Sequence, residues 1–263
     1  MRDILNDLEA AEKADAPDPM VSAQQSMAAN LPKRFYKEAF VAAVHDAHGV
    51  MLDGKPVLTP ARKALAVPTE ALAAILAAEW EAQEERIDPR VMPMTRLVNT
   101  ALDGVSQDIG AVVEDVLRFA ANDLLYYRAP GPAQLIDRQR AQWDPVLDHF
   151  EQAMGVRFEL TEGVMHISQS DQTLDALRGR VAHIQEPIEA AALHTITTLT
   201  GSALIGLAVH EQLIDGQAAW SKAHLDEDWN IEQWGEDDEA QLRRAVRWLD
   251  MKSACDALEA LRH

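Results

Sequence analysis

The chain has 263 residues, 48% of them hydrophobic and 25% charged, which is enough apolar material for one large domain or two smaller ones and excludes disorder throughout. Its 24 basic residues face 43 acidic ones, a formal net charge of −19, so sequence-independent attraction to nucleic acid or anionic lipid is excluded and a basic protein partner is accommodated. The single cysteine, Cys255, cannot close an internal disulfide and is expected to be an inert, half-buried thiol in a reducing compartment.

In chain order, residues 1–31 open with the amphipathic run Ile4-Leu5-Asn6-Asp7-Leu8-Glu9 and then turn to Ala, Asp, Pro, Ser and Gln, which predicts a short helix and a loose tether. Their six acids against two bases are the opposite of an Arg-rich transit peptide, so a cytoplasmic location is expected. Residues 32–110 are expected to form a mixed α+β domain. Its short strands run from Phe35 to Val44, Val50 to Leu52, Pro56 to Thr59 and Ala64 to Val67, with turns at His48-Gly49 and Asp53-Gly54. Thr69 caps a helix running to about Gln83, on which Trp80 is expected to close the Leu72-Ile75-Leu76 stripe as a core residue. Met94, Leu97, Val98 and Ala101 define a second helix ending near Gly104, and Ser106 is expected to cap a third that continues toward Tyr127.

Residues 111–263 are expected to form a helical domain, giving an α+β chain: a small N-terminal sheet with helices, then a mostly helical second half. A helix over 133–154 is expected to kink or break at Trp143-Asp144-Pro145 and to stop at Gly155. Residues 156–168 alternate about Glu162-Gly163 and predict a hairpin that returns to the N-terminal sheet. Further helices are expected over 172–185, 187–213, 216–229 and 236–261. Ala190 to His210 lacks Asp, Glu, Lys and Arg, yet its histidines, threonines and glycines and its Glu189 and Glu211 borders point to a buried helix and not to membrane insertion.

The usual signatures of chemistry are missing from the sequence. Gly201 to Gly206 lacks the lysine of a P-loop and suits small-residue helix packing, His45 and His48 have no second ligand pair, and no Gly-x-Ser-x-Gly elbow occurs. Arg96, Asn99 and Arg128 stand as polar groups in apolar helices. They are expected to be structural, pairing with Asp103 or Asp123 at a seam, and otherwise would be the lining of an unrecognised enzyme site.

From Asp226 to Glu239, eight of fourteen residues are acidic, none is basic, and Trp229 and Trp234 stand among them. Such a run suits a meeting with a basic surface, or else is a solvated acidic loop whose tryptophans plug the core. With Glu79-Trp-Glu-Ala-Gln83, Met92 to Asp103, Asp123-Leu-Leu-Tyr-Tyr-Arg128 and Trp143-Asp-Pro145, the segment Leu225 to Gly235 completes five motifs in one order. In these the chain, from about Lys33 to Cys255, resembles the assembly chaperones for the alpha subunit of F-type ATP synthase, found in mitochondria and alphaproteobacteria.

The resemblance implies a non-enzymatic protein without a cofactor, whose partner is the unassembled alpha subunit, in the bacterial cytoplasm or, for eukaryotic relatives, the mitochondrial matrix. It lends importance to Asp226, Glu227, Trp229, Trp234 and Gly235, which with Glu236 of the same acidic run are expected at the partner, while Trp80, Arg96, Asn99, Arg128 and Trp143 are expected to be structural. Tyr126 departs from the cysteine usual in bacterial relatives. A general acidic adaptor for some other basic protein is the remaining alternative.

Overall fold

A computed structural model describes residues 31–263; the helix and tether expected before them lie outside the described residues. The N-terminal sheet is antiparallel. Strands β1 (Ala39–Val44) and β2 (Ala47–Leu52) pair from Ala39 with Leu52 to Val44 with Ala47, and β3 (Lys55–Pro56) and β4 (Ala66–Val67) both pair with β2. Asp53-Gly54 makes the expected turn, with φ of 48° and 80°.

Two details of the sheet differ from expectation. Strand β1 begins four residues later than Phe35, because the Arg34 guanidinium holds the carbonyls of Tyr36, Lys37 and Glu81 at 3.2, 2.8 and 2.9 Å and fixes the segment on the loop side. The first turn falls at His45-Asp46, and His48-Gly49 lie within β2. Gly49 answers a close approach across the pair, since a Cβ there would sit 2.6 Å from Val44 Cγ2.

Helix α1 (Glu70–Glu81) starts at Thr69, whose hydroxyl oxygen accepts from Leu72 N at 3.3 Å and donates to the Ala260 carbonyl at 2.7 Å, tying the helix to the far end of the chain. Helix α2 (Pro93–Asp103) follows as expected. Helix α3 (Ile109–Ala121) is capped by Asp108, which accepts from Ala111 N at 2.9 Å, while Ser106 turns back to the Leu102 carbonyl. It stops before Asn122, and Leu124–Tyr126 form a short 3-10 helix.

Helix α4 (Ala133–Met154) runs unbroken through Pro145. An internal proline costs roughly 3 kcal/mol, and the burial of Trp143, Val146, Leu147 and Phe150 around it, each worth roughly 1.5–3 kcal/mol, outweighs that cost. The hairpin expected at 156–168 does not form, and nothing from it joins the N-terminal sheet. Only Thr161–Glu162 form a strand there, β6, and it pairs in parallel with β5 (Tyr127–Arg128). The neighbouring amides are taken by side chains: Phe158 N donates to Glu151 Oε1 at 2.9 Å and Glu159 N to Gln169 Oε1 at 3.0 Å.

Helix α5 (Asp171–Val181) leads into the apolar run, which is two helices, α6 (Pro187–Thr200) and α7 (Ala203–His210). Gly201, at φ 68°, ends the first, and the Ser202 side chain accepts from Ile205 N at 3.0 Å to begin the second. Both are buried, and Gly206 packs on Thr197 as small-residue packing requires. Helix α6 lies at the centre, against α2, α3, α7 and α10 (Asp238–Ala260). Between α7 and α10 come α8 (Gly216–Ala223) and α9 (Leu225–Trp234), with a break at His224 where the sequence predicted one helix. Among the described residues no helix is long and apolar enough to cross a membrane.

Candidate partner-binding groove

Four of the five motifs are joints inside the fold. Glu79, on α1, reaches the start of α2, where its carboxylate accepts from Met94 N and Thr95 N at 2.7 Å each and from the Thr95 hydroxyl at 2.8 Å. Burial pushes this carboxyl above its usual range, with those hydrogen bonds opposing. Asp123, fully buried, does the same for two elements, accepting from Leu125 N at 3.0 Å and from Leu204 N at 2.9 Å at the head of α7. Burial raises its carboxyl to about 6.

Trp143 donates from its ring nitrogen to the Lys222 carbonyl at 2.9 Å and lies under the Arg128 guanidinium, 5.3 Å from the ring centroid. Arg128 pairs with Asp144 at 2.7 Å and Arg96 with Asp250 of α10. The expected pairing of these arginines with Asp103 or Asp123 is therefore replaced, because Asp103 is occupied by the Thr59 hydroxyl at 2.7 Å and Ala61 N at 2.9 Å. Nor do the three polar residues line one cleft. Arg96 borders a cavity of about 570 Å³ between α2 and α6, Arg128 borders another beside α4, and Asn99 lines neither. Trp80 is half-buried against the core, its ring 5.9 Å from that of Tyr36.

The fifth motif is different. It forms α9 and the turn into α10, so its acids ride mainly on helix and not on a loop. Between the two helices lies an open groove of about 1010 Å³ with an apolar floor of Trp220, Ile231, Ala245 and Trp248. Trp220 and Trp248 meet edge to face, 5.4 Å between centroids. Trp234 stands at the rim and is 87% exposed. Its neighbour Gly235, at φ 91° and ψ 174°, takes a conformation open only to glycine and ends α9 at that point.

Of the acids, Asp226 accepts from Gln139 at 2.8 Å, Asp228 pairs with Arg244, and Glu232 with Arg138 through two bonds of 2.7 and 2.8 Å. Asp237 caps α10. Glu227 lies 4.0 Å from the His224 ring, and Glu236 accepts from Gln241; neither has an Arg or Lys partner among the described residues. Trp229 packs partly on the core, as the plugging alternative expected, whereas Trp234 does not.

Sequence reasoning missed Trp220 and Trp248 as the groove floor, and it missed the outward stripe Leu242, Val246 and Leu249 of α10, each exposed. The i, i+4, i+7 spacing of that stripe was the available signal. Cys255 is half-buried as expected, and burial pushes its thiol up to about 12.

Comparison with known proteins bears on this arrangement. A crystal structure of Atp12 from Paracoccus denitrificans is 35% identical, covers 88% of this chain and 99% of its own, and superposes with a TM-score of 0.81. The chain belongs to the Atp12 chaperone family. The family model described as ATP12 chaperone protein matches residues 33–151. A structure from Agrobacterium tumefaciens, described as a candidate chaperone, is 51% identical over 99% of this chain and 97% of its own, with a TM-score of 0.85. The mitochondrial protein atp12 of Schizosaccharomyces pombe is 22% identical over 216 residues, 77% of this chain and 74% of that one. The mixed sheet-and-helix architecture read from the sequence is the architecture of this family.

Proposed function

We propose that this protein is an ATP synthase assembly chaperone that holds the unassembled alpha subunit in the α9–α10 groove. The observation carrying the reading is Trp234, a large aromatic ring 87% exposed above an apolar floor and surrounded by carboxylates. An aromatic anchor beside a preformed apolar groove is the kind of residue on which binding energy concentrates, worth about 2 kcal/mol or more when the contact buries it. The acidic rim selects a partly basic partner and speeds encounter. Membership of a chaperone family supports contact without bond-making, and the ion pairs that engage Arg96 and Arg128 support structural roles for both.

Release follows from mass action. The chaperone binds only while the client's docking face is free, and a larger obligate contact with the beta subunit displaces it without nucleotide. The higher identity to two bacterial structures than to the fission-yeast mitochondrial protein supports a bacterial cytoplasm as the place of action.

The test is a salt-controlled binding assay with purified alpha subunit and a basic protein unrelated to it. Trp234→Ala should weaken alpha-subunit binding by about 30-fold or more while leaving stability within about 0.5 kcal/mol. Lys at both Glu227 and Glu236 should slow association and flatten its salt dependence. Asp226 is unsuited to charge reversal, since Gln139 holds it. Full-strength binding by folded Trp234→Ala would remove the groove from the reading, and equal binding of both proteins would leave a general acidic adaptor.

A further inference from the structure

Away from the groove, three metal-binding side chains converge where α5, α6 and α7 meet. His183 lies in the turn after α5, Glu189 in the first turn of α6, and His210 at the end of α7. One ligand atom from each falls within 4.8 Å of the others. Nε2 of His210 is 2.7 Å from Glu189 Oε1, and the two imidazole rings are 6.0 Å apart. A hydrogen bond accounts for His210 and Glu189; it does not call for a second, exposed imidazole with a ring nitrogen within 4.8 Å of both their ligand atoms.

We propose that His183, Glu189 and His210 form a binding site for Zn²⁺, with solvent in the fourth position. Two imidazoles and one carboxylate are a donor set suited to a borderline-soft dication, and three protein ligands with one open position is a recurrent zinc arrangement. With metal–ligand bonds of about 2.0–2.2 Å, tetrahedral donors lie about 3.3 Å apart. The Glu189–His210 contact therefore opens by about half an ångström, and the exposed His183 ring has room to swing in. Glu189 and His210 need no such rearrangement of backbone, because both sit on helices packed in the core.

The surrounding charges permit a cation. Glu186, capping α6, feels Glu189 across the turn, and Glu211 is paired with Arg180 at 2.5 Å and lies 3.8 Å from His149. Arg262 donates to the His210 carbonyl and, with Arg180, brings positive charge to that side. Counting Glu186, Glu189 and Glu211 against Arg180 and Arg262, the neighbourhood carries one net negative charge with neutral imidazoles. The site would join three elements of the helical half and is independent of the client-binding reading.

The experiment uses full-length protein without a polyhistidine tag. Equilibrium dialysis against Zn²⁺ at pH 7.5 should give one bound equivalent, and Zn²⁺ should raise the melting temperature by several degrees. At pH 5.5, where protons compete with the metal for its donor atoms, both effects should weaken. His183→Ala, which leaves the Glu189–His210 bond in place and should melt like the metal-free parent, should weaken binding at least about tenfold, as should Glu189→Gln. No uptake by the parent, or undiminished uptake by His183→Ala, would overturn the site.

Discussion

Trp143 and Trp234 belong to two motifs of the same family resemblance, yet the first is 1% exposed and the second 87%. Around Trp143 the polar groups engage the chain itself: its ring nitrogen meets the Lys222 carbonyl, Arg128 covers its face, and Asp144 forms an ion pair with Arg128. Around Trp234 the helix ends, the floor is apolar and the nearby carboxylates of Glu227 and Glu236 have no Arg or Lys partner among the described residues. Helix α10 repeats the contrast along its length. Met251, Ala254, Ala257 and Leu258 are buried, whereas Leu242, Val246 and Leu249 face outward. One set of motifs fastens helices to one another, and the other is held out by that fastening.

The contrast is broken if fastening and presentation trade places under mutation. Trp143→Ala should give the largest effect, a loss of about 3–5 kcal/mol in denaturant unfolding, with alpha-subunit binding falling only as folded protein is lost. Asp123 gives the next effect, and its sign is fixed by burial. Its carboxyl titrates near 6 in the folded chain against an ordinary value of 3.8, so its contribution is fully present below pH 3.8 and is lost as pH rises through 6. The stability advantage of the parent over Asp123→Asn should therefore shrink by about 2–3 kcal/mol between pH 4 and pH 7, measured by chemical denaturation at each pH.

Two smaller effects sharpen the comparison. Gly235→Ala should cost about 1–3 kcal/mol of backbone strain, with no steric clash because nothing lies within 4 Å of the added Cβ. Since it re-routes the chain beside Trp234, it should weaken client binding more than its modest change in melting temperature explains. Arg96→Ala should be smallest, about 0.2–1 kcal/mol in thermal unfolding, because Arg96 and Asp250 are 39% and 38% exposed and water screens their pairing.

What was legible in the sequence was local chemistry. Asp53-Gly54, the Thr69 cap, the apolar period of α2 and the Gly155 stop each depend on neighbours within a few residues, and each stands where expected. The misplaced elements depend on distant partners. Residues 156–168 alternate like a hairpin, but Glu151 and Gln169 supply the amide partners a second strand would have supplied. Pro145 reads as a break in sequence because nothing local shows that the four buried side chains around it share a core.

The same holds at the groove. The acidic, aromatic composition marked the segment, but which tryptophan is covered depends on α4 and α10 passing on either side. Glu79 and Asp123 gave no sign of their roles, because a carboxylate that caps a helix in another part of the chain leaves no spacing rule to read. Gly201-Ser202 did leave one, a stop followed by a cap, inside a run whose lack of charged residues made it read as one helix.

The carboxylates that ring Trp234 also govern how copies of the molecule treat each other. Two molecules approaching ring to ring bring like-signed rims together, and at low salt that repulsion opposes the stacking an uncovered indole would otherwise invite. A sticky residue is thus kept available in concentrated solution without a lid, and high salt, which screens the fence, is the condition that would let the protein cling to itself.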